Sequence, residues 1–146
     1  NYNILRFFTV YGDEQPSDDN KGLMIAKFYR LAEEGNPLTV HGDGSFRRDY
    51  IHVSDVAKAC IASMESRVKS EVFNIGTGKN VSVNDVIDIL REFFPEVQVE
   101  LEPKPKGYAP ETLADISKAK KLLGWKPEII VEDGIRNLYY KKNSNT

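Results

Sequence analysis

The stretch "GDGSFRRDYIHV", Gly42 to Val53, decides how the rest of this chain is read. Two glycines flank an aspartate, two arginines follow, and an apolar run then carries a tyrosine and a histidine. Gly-Asp-Gly is turn chemistry: glycine reaches left-handed backbone without steric cost, and aspartate bonds its own neighbouring backbone. Tyr50 to Val53 reads as a buried strand. Between turn and strand stand Arg47 and Arg48. A guanidinium stays charged at every working pH and presents a planar fork that suits phosphate oxygens. A cation mounted this way points to an anion held against a rigid edge. The same spacing also suits a surface pair bridged to Asp43 and Asp49, and the residues alone leave both readings open.

On the N-terminal side, Ile4 to Phe8 (ILRFF) is an apolar strand, expected to be mostly buried and to end in a turn at Tyr11-Gly12-Asp13. A polar loop, Asp13 to Lys21, separates it from Met24, Ile25, Phe28, Leu31 and Ala32, which recur at helical spacing and stop at Gly35. Leu38 to His41 is a short strand. On the other side, Ser54 is expected to cap a helix whose inner face is Val56, Ala59, Cys60 and Ser63. Val72 to Ile75 is a strand turned by Gly76-Thr77-Gly78. Ser82 and Asp85 make a capping-box-like start for a helix carrying Val86, Ile87, Leu90 and Phe93, ended by Pro95.

Val97, Val99 and Leu101 then alternate with polar residues, the pattern of a half-buried strand. After the Pro103–Pro110 loop come a short helix, Ser117 to Leu123, closed by Gly124, and a last helix through Ile135, Leu138 and Tyr139. The domain is expected over 1–141, with 142–146 as a disordered polar tail. Strands alternate with helices, so the fold class is α/β.

The charge balance, 20 basic against 22 acidic side chains, lacks the basic excess that nucleic-acid binding calls for. No apolar run approaches the roughly 20 residues of a membrane span. Cys60 is the single cysteine, so the chain forms no internal disulfide and no cysteine-based zinc site; a reducing, cytoplasmic setting is expected. Two histidines make no metal site. His52, inside an apolar run, reads as structural, while His41, ending a strand before Gly42, is better placed to meet a ligand. "GTGK" (Gly76 to Lys79) lacks the spacing of a phosphate loop and reads as a turn. There is no Gly-x-Gly-x-x-Gly, so a dinucleotide fingerprint is absent. The chain begins on Asn1 and enters a strand almost at once, which raises the expectation that a preceding segment has been cut away.

Taken in order, "LRFFTVYG" (Leu5 to Gly12), "PLTVHGDGSFRRDYIHVSDVA" (Pro37 to Ala57), "VFNIGTG" (Val72 to Gly78) and "LADISKAKKLLGW" (Leu113 to Trp125) closely resemble the C-terminal half of the extended short-chain dehydrogenases/reductases, in particular the NAD-dependent nucleotide-sugar epimerases and dehydratases. The resemblance implies the substrate-binding part of a Rossmann-type enzyme whose N-terminal Rossmann half is absent here. That half would carry NAD and the catalytic Tyr-x-x-x-Lys pair, so no catalytic residue and no NAD binding are expected of this chain alone. The implied partners are a nucleotide-diphosphate sugar, UDP-linked by preference, the Rossmann half, and a second copy in a homodimer.

Residue by residue, the resemblance places Phe8 beside the nicotinamide. It places Thr9, commonly asparagine in relatives, at the sugar or phosphate end of the substrate, and sets Thr39 and His41 beside the uracil. Arg48, rather than Arg47, falls on the diphosphate, with Asp49 and Tyr50 as structural support. Many relatives carry Arg-x-Gly-Asp where this chain has Pro105, Lys106, Gly107 and Tyr108. Lys104 or Lys106 is the expected replacement for that arginine. The "RFFTVYG" form with threonine resembles the UDP-glucuronate 4-epimerases. A 4,6-dehydratase and a stand-alone binding module without catalysis are the alternative readings.

Overall fold

In the computed structural model, which describes residues 2–16 and 23–144, the elements run β1 (Ile4–Phe7), β2 (Thr9–Tyr11), α1 (Met24–Glu33), β3 (Leu38–His41), β4 (Arg47–Arg48), β5 (Tyr50–His52), α2 (Val53–Glu65), β6 (Val72–Ile75), β7 (Val81–Ser82), α3 (Val83–Arg91), β8 (Val99–Glu102), α4 (Ser117–Leu123) and α5 (Val131–Asn143). The α/β alternation is as expected. The two-residue strands β4 and β7 carry too little pattern to be read in advance. Residues 17–21 of the expected polar loop lie outside the described residues.

Residues 4–11 form one extended run that changes partners midway. β1 pairs in parallel with β6, and β2 pairs in parallel with β5. The N–H groups of Ile4 and Phe8 donate to Glu71 and Ile75 at 2.8 and 2.9 Å, whereas Thr9 N–H donates to Asp49 at 3.1 Å. Successive residues of a strand direct their backbone groups to opposite edges. The even residues therefore face β6, the odd residues face β5, and the switch falls between Phe8 and Thr9. β3 pairs in parallel with β8, and β4 in antiparallel with β7.

This central ribbon separates two apolar layers. Tyr11 and Tyr50 point into a cluster with α1, α3 and α5, including Ile25, Phe28, Val86, Leu90 and Ile135. Ile51, Phe73 and Ile75 point the other way, onto Val56, Ala59, Ala119 and Trp125 of α2, α4 and the segment that follows α4. The alternation along Tyr50-Ile51 thus sends neighbouring side chains into different layers, as strand geometry requires.

Local signals set most element ends. Ser82 Oγ accepts from Asp85 N–H at 3.0 Å while Asp85 Oδ2 accepts from Ser82 N–H at 2.7 Å, a complete capping box. The Ser82 N–H donor holds the Asp85 carboxyl below the usual carboxylate range. Gly124 closes α4 in the left-handed conformation.

Four expectations are corrected. β1 is not mostly buried: Ile4 and Phe7 are 46% and 49% exposed, because β6 is its one strand partner among the described residues. The cap of α2 is His52, not Ser54: the His52 Nδ1 accepts from Ser54 N–H at 3.2 Å. α5 continues through Asn143, two residues into the stretch read as tail, while residues 145–146 lie outside the described residues. Leu101 is exposed, since β8 pairs with β3 alone among the described residues.

Candidate active-site lobe

The Gly42–Ser45 turn presents the two arginines differently. Gly42 and Gly44 have φ of +70° and +75°, and a Cβ at Gly44 would lie 2.1 Å from the Asn84 side-chain oxygen, so glycine is required there. Asp43 Oδ1 accepts from the Ser45 hydroxyl and N–H at 2.6 and 3.0 Å, which lowers the Asp43 pKa and ties the turn to itself. Asp43 therefore does not bridge an arginine. Arg47 donates from Nε to Asn80 Oδ1 and from Nη2 to Asn80 O, and its Nη1 lies 3.6 Å from Asp85. It pins β4 to the start of α3. Arg48 donates only to carbonyls, Arg47 O at 2.8 Å and Ala109 O at 2.9 Å, and no carboxylate within the described residues pairs with it. Its charge is oriented but not neutralised.

Between Arg48 and Tyr50 on the strand, Asp49 points to the opposite face and is fully buried. Its Oδ1 accepts from Thr77 N–H and the Thr77 hydroxyl, both at 2.7 Å, and its Oδ2 accepts from Gly78 N–H at 2.9 Å and Ala114 N–H at 3.1 Å. A Cβ at Gly76 would come within 2.9 Å of that carboxylate and 2.6 Å of the Ala114 Cβ. The "GTGK" turn thus directs its N–H groups at a protein carboxylate, which is why it is not a phosphate loop. Asp49 is the structural support expected of it, and it does not bridge Arg47 or Arg48.

A cavity of about 420 Å³ opens beside Arg48 and Tyr50. Val81, Pro127, Ile129, Ile130 and Val131 give it apolar walls, and Lys79, Lys120 and Lys126 line it together with Arg48. Two acids also face it, Glu128 and Glu132. Lys58 pairs with Glu128 and lowers its pKa. The three lysines make no ion pair among the described residues, so the balance of charge is positive. The size lies within the range of small-molecule sites. None of these lysines was expected as a site residue. Lys79 stands in the "GTGK" stretch and had a visible signal; Lys120 and Lys126 come from α4 and the segment after it, where nothing local marks them.

The remaining expected residues are not among those that line this cavity. Phe8 and Thr9, both half-buried, sit at the partner switch of the 4–11 strand. Thr9 pairs in register with Tyr50 and is thereby linked to the Arg48 strand. Thr39 and His41 lie on β3 opposite Glu100 and Glu102, and His41 Nδ1 is 3.4 Å from Glu102 Oε2 on the surface. Lys104 lies over the Phe46 ring, 4.7 Å from Nζ to centroid, and Lys106 is exposed in the loop. Neither lysine lines the Arg48 cavity. His52 keeps its structural role: burial lowers its pKa and leaves the ring an acceptor for the α2 cap.

A second cavity, about 540 Å³, lies between the turn after β2, α1 and α5. It is the larger of the two, but each of its cations is paired, Lys141 with Asp13, Lys142 with Glu33 and Arg30 with Glu34, and Glu14 leaves its lining with an excess of acid. The candidate site is the smaller one.

Comparison with known proteins gives the family. The model of the NAD dependent epimerase/dehydratase family matches residues 1–76. A UDP-glucuronate 4-epimerase of Thermodesulfobacterium geofontis is 38% identical over 135 residues, 91% of this chain and 40% of that protein. The crystal structure of Thermotoga maritima UDP-glucose 4-epimerase with UDP-glucose superposes with a TM-score of 0.90 at 33% identity, over 99% of this chain and 47% of that one. The UDP-glucuronic acid 4-epimerase of Bacillus cereus, solved in complex with UDP-glucuronic acid and NAD, superposes with a TM-score of 0.86 at 31% identity, over 98% and 45%. The chain therefore spans about half the length of these relatives and has the Rossmann-like α/β fold of the extended short-chain dehydrogenases/reductases. It belongs to the NAD-dependent epimerase/dehydratase family.

Proposed function

We propose that this chain is the C-terminal, nucleotide-sugar-binding half of an NAD-dependent epimerase that inverts C4 of a UDP-sugar through a transient keto intermediate. The observation that carries this reading is Arg48. Its guanidinium is held by two carbonyls, pairs with no carboxylate among the described residues, and stands on the wall of a cavity with three further cations. A diphosphate supplies the matching anion, and bidentate donation from arginine is its strongest protein partner. Thr9, at the strand switch, is the residue assigned to the sugar.

Reversible hydride transfer is the chemistry that NAD supplies when bound. The glycine turn ahead of α3 does not fit its pyrophosphate, because it directs Thr77 and Gly78 N–H at Asp49. The cofactor and the catalytic pair are therefore assigned to a Rossmann half. The half-exposed Ile4, Phe7 and Val72 of the β1–β6 pair are the surface proposed to meet it.

The sugar proposed is a uronate, UDP-glucuronate interconverting with UDP-galacturonate. A threonine hydroxyl is smaller than the carboxamide many relatives carry and can donate to a carboxylate oxygen, the stronger kind of hydrogen bond. The test is kcat/KM of the full-length protein on UDP-glucuronate and UDP-glucose, with Thr9→Asn alongside. Preference for the uronate, reduced by the substitution, is expected; preference for UDP-glucose that Thr9→Asn leaves unchanged refutes the uronate assignment.

A further inference from the structure

We infer that Tyr108 is a positioning residue for Arg48, holding the plane of its guanidinium ready for the anion. The inference rests on the reading that Arg48 takes the diphosphate. Tyr108 stands where family resemblance leads one to expect an aspartate, so the loop carries an aromatic ring in place of a carboxylate. That ring lies against the guanidinium, 4.8 Å from the Arg48 Cζ to its centroid. The next residue, Ala109, accepts from Arg48 Nη2 at 2.9 Å. One loop thus grips the cation twice, by its face and by its edge. Of the five N–H donors of a guanidinium, the two carbonyl bonds take two and leave three for a ligand.

The ring is itself anchored. Phe46 is buried and meets Tyr108 edge-on, with centroids 4.8 Å apart and planes at 75°. Gly107, with φ of +76°, makes the turn that brings Tyr108 back onto β4. The Tyr108 hydroxyl makes no hydrogen bond among the described residues, so the ring face, not the hydroxyl, is what acts on Arg48. A long side chain ordered in advance does not have to be ordered on binding, and that is the source of the gain in affinity.

The experiment is a double-mutant cycle on the full-length protein, with UDP binding measured by calorimetry and folding checked by thermal melting. Tyr108→Ala is expected to weaken binding about 2- to 5-fold, the range of an exposed cation–π contact. Tyr108→Phe, which keeps the ring, rescues it. Arg48→Ala weakens binding more than about tenfold. In the Arg48→Ala background, Tyr108→Ala adds nothing, because Tyr108 acts through Arg48. An equal loss from Tyr108→Ala in both backgrounds overturns this inference and leaves the Arg48 reading standing. Unchanged affinity in Arg48→Ala overturns both.

Discussion

Replacing Asp49 with asparagine tests whether a buried carboxylate holds the arginine strand in place. The change removes one charge and almost no volume, so packing is constant and only hydrogen bonding differs. Asp49 accepts four bonds, two on each oxygen, from Thr77, Gly78 and Ala114. An asparagine oxygen placed at Oδ1 keeps the two from Thr77. Its amide nitrogen then faces Gly78 N–H and Ala114 N–H, donor against donor, at the 2.9 and 3.1 Å separations where the carboxylate accepted. Each buried donor left unsatisfied costs about 1–3 kcal/mol, so Asp49→Asn should cost about 2–6 kcal/mol. That is a large share of the roughly 5–15 kcal/mol that stabilises a typical domain. Urea unfolding followed by circular dichroism reads the loss as a lower midpoint at constant slope. Asp43→Asn is the control: its carboxylate caps an exposed turn through Ser45 and should move stability by less than about 1 kcal/mol. If Asp49→Asn loses no more than the control, the carboxylate is not what joins the 76–78 turn to β4 and β5, and the structural argument fails.

Arg48→Ala should weaken UDP binding by about 1.5–3 kcal/mol, the worth of a hydrogen bond to a charged group. Arg47→Ala should act on stability instead, through Asn80 and Asp85; equal losses of affinity would show that the wrong arginine is assigned. Burial lowers the His52 pKa from its ordinary 6.5, so the folded state binds fewer protons than the unfolded one. Its contribution is present above about pH 6.5 and is lost as pH falls below that value. His52→Asn, which can cap α2 without titrating, should flatten the fall in melting temperature between about pH 7 and 5; an unchanged slope removes His52 as the cause. Ser82→Ala should cost about 1 kcal/mol in equilibrium unfolding through loss of the capping box, and no measurable change would mean that α3 starts without it. The chain expressed alone should self-associate through the β1–β6 face, and Phe7→Lys should shift light scattering toward monomer; a monomeric parent chain would count against that surface.

What the sequence determined by itself was local. Gly35 and Gly124 ended their helices, Ser82 and Asp85 started α3, and Leu38–His41 and Val72–Ile75 were strands at the stated residues. These features depend on backbone sterics and on hydrogen bonds spanning three or four residues, so a short window contains all the terms. Resemblance in the order of four motifs carried the family. Tertiary structure alone decided which groups met. It sent the Asp49 carboxylate to Thr77, Gly78 and Ala114, 28 to 65 residues away. It set Tyr108 against Arg48 and gathered Lys79, Lys120 and Lys126 from separate segments around one cavity, while leaving Lys104 and Lys106 outside it. It also exposed β1, whose apolar residues read as buried until its neighbours were known. Burial and charge pairing are sums over neighbours in space. A residue's own window holds none of those neighbours when the chain brings them from tens of positions away.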